Sequence, residues 1–146
     1  MKEALNQAKK ALNKDEVPVG AVIVKNGKII SKAFNTKNKS KDAINHAEII
    51  AIKKACKKIK DFRLIDAEIY VTLEPCLMCL GAILNARIKT IYFGASINKE
   101  NALTCREIID KVELNHKSEI IGGILEEECS LIVTNYFKSK RIKKEV

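Results

Sequence analysis

The chain of 146 residues is 47% hydrophobic and 31% charged, and it carries a formal net charge of +9 at pH 7. This length can bury one substantial core but is too short for two ordinary domains, so we expect a single domain over residues 1–146. No run approaches the roughly 18 apolar residues of a membrane span, and the N-terminal stretch MKEALNQAKK lacks the apolar segment of a signal peptide, which predicts a cytoplasmic protein without membrane association.

The first part of the chain predicts a helix followed by a β-hairpin. Apolar residues recur at helical spacing from Ala4 to Leu12. The β-branched run VPVGAVIV, the turn signal Asn26-Gly27 and the run KIISKAF then indicate two strands joined by a tight turn. A polar loop, NTKNKSKDAI, separates this hairpin from the next helix.

From Ile49 onward, helices and strands alternate. A helix through Cys56 is followed by the buried strand EIYVTL, the helix CLMCLGAILNA and the strand TIYFGA. After an uncertain polar loop come a short strand, EIIGGI, and a last helix with an apolar stripe. That stripe consists of Leu125, Cys129, Ile132, Val133, Tyr136 and Phe137. This alternation predicts a partly parallel sheet covered on both faces, with a ligand site where strands end and helices begin.

The segment EPCLMC, which follows the strand EIYVTL, carries two cysteines at helical i, i+3 spacing. Cys76 and Cys79 can therefore reach one ion, and the positive end of a helix favours the thiolate that a metal requires. Alone, the pair could instead be a redox motif or two packed side chains. Five cysteines in a reducing compartment argue against a disulfide framework, and Cys56, Cys105 and Cys129 are most simply small apolar residues.

A third ligand and a proton carrier are found in the segment NHAEII. His46 is one of only two histidines, and Glu48 follows it in the first turn of a predicted helix. Side chains two residues apart diverge by about 200° in an ideal helix, so the two can share a site only if His46 lies at the helix start. One nitrogen and two sulfur ligands leave the fourth zinc position open for water, which is typical of a catalytic zinc with Glu48 as its base.

These two segments together form the H-x-E…P-C-x-x-C pattern of zinc nucleobase deaminases. Over nearly its whole length the chain also resembles the bacterial tRNA adenosine deaminases of the wobble-position type, in the cytidine/deoxycytidylate deaminase superfamily. The stretches that carry the resemblance are EVPVGAVIV, FN, HAEI, RLIDAEIYVTLEPCLMCLGAI, ARI, FGA, LNH, GGIL followed by EC, and the closing YF.

The resemblance implies a three-layer α/β/α sandwich with a central mixed five-stranded sheet, one Zn²⁺ per subunit and a homodimer. It implies the conversion of adenosine to inosine at the first anticodon position of tRNA, with Glu48 moving a proton from water to the ring nitrogen and then to the departing ammonia. It also implies that Asn35 and the backbone near Ala47 bind the base. Tyr136 and Phe137 match aromatic positions that approach RNA, although the apolar stripe favours a core position for at least one of them.

One segment departs from the family pattern. Ile97 stands where the family usually has an acidic residue, and the stretch SINKENALTC has no glycine. Isoleucine cannot accept a hydrogen bond from a ribose 2′-hydroxyl. This change motivates an alternative, a related zinc deaminase that acts on a free nucleobase or nucleoside of the guanine or cytosine type.

The positive charge is concentrated in two runs, residues 53–60 and 138–144. A basic surface favours a polyanionic partner, usually nucleic acid, although lysine runs are commonly just solvated helix faces. A non-catalytic zinc module that binds RNA is therefore a hypothesis from another class.

Overall fold

The computed structural model describes residues 1–96 and 103–145, in which five strands form one sheet. The strands are β1 (Gly20–Lys25), β2 (Lys28–Phe34), β3 (Glu68–Leu73), β4 (Thr90–Ala95) and β5 (Glu119–Ile121). The helices of the described part are α1 (Lys2–Asn13), α2 (Lys37–Ser40), α3 (Ala47–Ile59), α4 (Leu77–Asn85), α5 (Cys105–Lys111) and α6 (Glu126–Glu145).

The sheet is mixed, with the strand order β2-β1-β3-β4-β5. β1 is antiparallel to both β2 and β3, whereas β3, β4 and β5 run parallel. The parallel part follows from the alternation of strands and helices after residue 49, because parallel neighbours need a crossover connection. The prediction of a central mixed five-stranded sheet is confirmed.

Helices cover both faces of the sheet and complete the expected α/β/α sandwich. The larger core joins α3, α4 and α5 to one face through residues such as Ala51, Ile83 and Ile109. The smaller core joins α1 and α6 to the other face through Leu5 and Cys129. Close packing there requires a glycine, because a Cβ at Gly94 would collide with the Cys129 side chain.

The predicted elements match the structure closely, and β3 and β4 have the predicted bounds, whereas the strand predicted over EIIGGI ends at Ile121. Among the described residues, α2 and α5 are short helices that lie within predicted loops and were missed. α5 had a readable signal, since Thr104 and Glu107 form a reciprocal capping box at its start. No helix of the described residues is both long and apolar enough to span a membrane.

Candidate functional site

His46 is the N-cap of α3, and its backbone is extended at φ −73° and ψ 154°. Because His46 precedes the first helical residue, its side chain is not bound by the angular spacing of the helix. His46 and Glu48 therefore line the same cavity, which resolves the geometric conflict that an ideal helix would impose. The regular angular spacing of side chains in α3 begins only with Ala47, the first residue of the helix.

Cys76 is placed in the same way at the start of α4. It is the N-cap of that helix, with an extended backbone at φ −69° and ψ 171°, and Cys79 lies in the first turn. The Nδ1 atom of His46 lies 3.7 Å from Cys76 Sγ and 3.5 Å from Cys79 Sγ. The two helix starts thus bring one nitrogen and two sulfur atoms together, all within 4.8 Å of one another.

These distances fit a zinc ion. In a tetrahedral site with Zn–S of about 2.3 Å and Zn–N of about 2.0–2.1 Å, the nitrogen and sulfur atoms lie about 3.6 Å apart. The observed separations of 3.5 and 3.7 Å bracket this value. His46, Cys76 and Cys79 could therefore hold the metal with a fourth position to spare. His116 is engaged elsewhere, with its Nε2 atom 2.8 Å from the carbonyl oxygen of Ile88.

The pKa values of the two thiols of the site are shifted in opposite directions. The hydrogen bond from the Cys79 thiol lowers the pKa of Cys76 to about 5, even though burial opposes this change. The same hydrogen bond, together with burial, raises the pKa of Cys79. One sulfur is thus a thiolate near neutral pH, the form that binds metal.

Glu48 is buried beside this ligand group, with a relative exposure of 4%. Burial raises the pKa of its carboxyl above the ordinary value of 4.5. Among the described residues, its Oε2 atom has no hydrogen-bond partner. An unpartnered buried oxygen that lines a cavity is typical of a group that binds or transfers a proton to a ligand.

Asn35 follows β2 and lies in the same cavity. Its Oδ1 atom accepts a hydrogen bond of 2.8 Å from the backbone N–H of Ala47. The Ala47 N–H, which the resemblance places near the base, makes this bond within the protein. The Asn35 amide nitrogen, which has no hydrogen bond to any described residue, is the donor left to meet a ligand.

The two aromatic residues near the C-terminus have different surroundings. Tyr136 is buried, lies outside the cavity lining, and donates a hydrogen bond of 3.4 Å from its hydroxyl to the Asp15 carbonyl oxygen. Phe137 is 42% exposed and lines the cavity. The structure thus places Tyr136 in the core and Phe137 at the cavity, in keeping with the expectation of a core position for at least one of the two.

The cavity has a volume of about 770 Å³, and three of its described lining residues are lysine or arginine; the part of the cavity that they line is called its mouth below. Lys37 lies on one side, and Lys138 and Arg141 lie on α6. The space accommodates a nucleotide, and the charges suit its phosphates. Ile97, which motivated the alternative substrate, lies outside the described residues.

Two buried carboxylates near the site were not singled out from the sequence, Glu16 and Glu74. Glu74 accepts a hydrogen bond of 2.9 Å from the backbone N–H of Cys105, whose thiol donates to the Pro75 carbonyl oxygen over 3.2 Å. Glu74 stands between the strand EIYVTL and Pro75, and an acidic residue directly after a buried strand is the signal that could have identified it. Glu16 follows the polar stretch Asn13-Lys14-Asp15 and has no such signal.

Comparison with known proteins gives consistent results. The sequence model of the MafB19-like deaminases matches residues 1–141. The tRNA-specific adenosine deaminase of Bacillus subtilis (strain 168) is 43% identical over 145 residues, which cover 99% of this chain and 90% of that protein. The protein of the same name from Rickettsia bellii (strain RML369-C) is 46% identical over 144 residues, 97% of this chain and 99% of that protein.

A solved structure shows a similar fold. It comes from a study of A-to-I editing by tRNA:A34 deaminases at the wobble position of transfer RNA. Its TM-score is 0.85 at 38% sequence identity, and the match covers 90% of this chain and 96% of that chain.

Proposed function

Because the chain belongs to the MafB19-like deaminases and, among them, to the tRNA-specific adenosine deaminases, we propose that it deaminates adenosine to inosine at the wobble position of tRNA. The observation that carries this proposal is the convergence of His46, Cys76, Cys79 and Glu48 at one cavity with a basic mouth. The overall reaction consumes one water and releases one ammonia.

Zinc is the metal that the ligand set favours. His46, Cys76 and Cys79 would hold it, since one imidazole and two thiolates are common zinc ligands and their spacing fits the ion. When bound, zinc would supply the Lewis acidity that makes water nucleophilic near neutral pH. We propose one Zn²⁺ per subunit.

The protein's own groups would bind the base and move the proton. Glu48 would carry one proton of the water to the ring nitrogen, where inosine retains it. It would then carry the second proton of the same water from the new C6 hydroxyl to the amino group, which leaves as ammonia when the C6–N bond breaks. The raised pKa of Glu48 suits a group that must both accept and donate. The amide nitrogen of Asn35 would donate to the base, and Phe137 at the cavity wall would supply an apolar contact.

The alternative activity on a free guanine or cytosine is not favoured, because the matching relatives named for tRNA extend over nearly the whole chain. The basic cavity mouth also suits a substrate that carries phosphates. We further propose that residues 1–146 act as one domain in a cytoplasmic homodimer.

Incubation of the zinc-loaded protein with a tRNA whose wobble base is adenosine, followed by sequencing for inosine, tests this function. The matched control is Glu48→Gln, which preserves side-chain shape and should retain zinc while losing activity. Turnover of free guanine or cytosine without inosine in the RNA would support the alternative. Equal behaviour of wild type and control in every assay would instead indicate a non-catalytic module that binds RNA.

A further inference from the structure

α1 ends in a tight corner at Asp15 and Glu16. The backbone N–H of Asp15 donates to the Leu12 carbonyl oxygen and that of Glu16 to the Ala11 carbonyl oxygen, each over 3.0 Å. This is a Schellman motif, whose left-handed position normally holds glycine. Here that position is Asp15, at φ 57°. The two residues are called the Asp15–Glu16 corner below.

Both oxygens of the Glu16 carboxylate are hydrogen-bonded within the protein. Glu16 is 2% exposed. Its Oε2 atom accepts a hydrogen bond of 3.0 Å from the backbone N–H of Asn38, and its Oε1 atom accepts one of 2.7 Å from that of Lys39. Hydrogen bonds to a charged acceptor are stronger than neutral ones. Glu16 is also one of the residues that line the cavity. Since both of its oxygens accept backbone N–H groups of α2, its carboxylate holds the chain around that helix.

The residues that Glu16 holds belong to the loop between Asn35 and His46. This loop is closed on itself, because the Thr36 N–H donates to the Asn45 carbonyl oxygen over 3.2 Å and the Asn45 amide donates to Thr36 Oγ1 over 2.9 Å. A fixed position for α2 therefore fixes both ends of the loop. One end carries the proposed base-binding amide, and the other carries a metal-ligand candidate.

The same corner also holds α6, on the opposite side of the cavity mouth. The Asp15 carbonyl oxygen accepts one long hydrogen bond from each side, 3.4 Å from the Asn38 amide and 3.4 Å from the Tyr136 hydroxyl. The Asp15 carboxylate lies 2.6 Å from Lys140 Nζ. Lys37 and Asn38 on the α2 side and Phe137 on the α6 side all line the cavity.

We propose that the Asp15–Glu16 corner sets the separation of these two cavity walls, and that Glu16 is a positioning residue for the tRNA substrate. The proposal rests on the proposed function, since it concerns how that substrate is seated. The contacts at Glu16 dominate because its carboxylate is charged and buried. At Asp15 the two hydrogen bonds to the carbonyl oxygen are long, and the ion pair with Lys140 is exposed.

The test is Glu16→Gln, which keeps the shape of the side chain. A glutamine amide can accept from only one of the two backbone N–H groups, and its own NH₂ group then faces the other donor. The cavity wall formed by α2 should shift, while His46, Cys76 and Cys79 should keep their positions. We expect the KM for tRNA to rise about tenfold, which corresponds to the loss of one strong hydrogen bond. kcat and the zinc content should stay near those of wild type.

Two controls separate positioning from loss of fold. Glu113→Gln also removes one negative charge, but at an exposed residue outside the cavity lining. It should leave KM and kcat unchanged. Asp15→Gly keeps the corner, because glycine readily adopts the left-handed conformation, but removes the ion pair with Lys140. It should raise KM no more than about threefold, as expected for an exposed pair.

The KM is the decisive readout, because partial unfolding lowers the active fraction and hence the apparent kcat but leaves KM unchanged. Hydrogen exchange of the zinc-loaded Glu16→Gln protein should increase at residues 36–46 and not in α3. An unchanged KM, or a fall in kcat alone, overturns the proposal. If wild type forms no inosine, the proposed function fails, whereas unchanged exchange at residues 36–46 would refute the role of Glu16 in holding the loop.

Discussion

The side-chain oxygen of Asn35 accepts a 2.8 Å hydrogen bond from the backbone N–H of Ala47, which joins the end of β2 to the first residue of α3. This bond lies in the interior, where Asn35 is 9% exposed and Ala47 is fully buried. It orients the Asn35 amide and satisfies one of the N–H groups that the start of a helix leaves unpaired. A structural role and the proposed substrate-binding role thus meet in one side chain.

Asn35→Asp separates these two roles. Aspartate still accepts the Ala47 N–H, so the free energy of unfolding should change little, but it lacks the amide donor for the base. We expect kcat/KM for tRNA to fall at least tenfold. Asn35→Ala should show the same kinetic loss and also lose about 1–3 kcal/mol of stability, because the buried Ala47 N–H is left unpaired. Urea denaturation and steady-state kinetics measure both, and equal stability loss in the two variants would contradict this division.

Glu48→Gln should lower kcat by roughly 10²–10⁴, the usual contribution of general acid–base catalysis, without loss of zinc. The same change should stabilise the metal-free protein at neutral pH by about 1–3 kcal/mol, because it removes a buried carboxylate whose Oε2 atom has no hydrogen-bond partner among the described residues.

The pH dependence of that stabilisation follows from the raised pKa of Glu48. The folded protein holds the carboxyl proton more tightly than the unfolded chain, so the contribution of Glu48 to stability is fully present below the ordinary value of 4.5. It is lost as the pH rises through the folded pKa. The free energies of unfolding of metal-free wild type and metal-free Glu48→Gln should therefore differ more at pH 8 than at pH 4. The same difference at both pH values would refute the raised pKa of Glu48.

Cys76 should be the thiol most sensitive to metal removal. Its pKa of about 5 makes it a thiolate at pH 7, whereas burial raises the pKa of Cys105 to about 12 and that of Cys129 to about 11. Iodoacetamide should alkylate Cys76 rapidly in chelator-treated protein and slowly after zinc is restored. Peptide mass spectrometry identifies the site, with all five thiols of the denatured chain as the reference. Equal alkylation of Cys76 with and without zinc would argue against its role as a ligand.

The basic residues at the cavity mouth should control the salt dependence of tRNA binding. Lys138 and Arg141 line the cavity, so replacement of both by alanine should weaken binding and reduce the slope of log K against log salt by about 1.4, at roughly 0.7 for each phosphate that is no longer neutralised. The matched control removes Lys57 and Lys58, which are exposed on α3 and outside the cavity lining. If the control variant changes the slope equally, the charge acts through the whole surface and not through this mouth.

Much of the fold could be predicted from local patterns, and the exceptions are instructive. The bounds of β3 follow from a run of β-branched, aromatic and aliphatic residues between Glu68 and Leu73, because these residue types favour a strand inside a sheet. α2 escaped prediction since four residues are too few to show helical periodicity. Tyr136 and Phe137 are adjacent on an apolar stripe, yet the docking of α6 buries one and exposes the other.

The sequence by itself determined the chemistry of the metal-ligand candidates, because residue type and spacing place two thiols on one helix start and an imidazole with a carboxylate at another. Only the tertiary structure decided which polar groups remain available to a ligand. The Ala47 N–H and both oxygens of Glu16 are occupied by partners 12 to 23 residues away, whereas Glu48 Oε2 has none among the described residues. Helices and strands follow from nearest-neighbour geometry, but such long-range hydrogen bonds depend on how the sheet brings distant segments together.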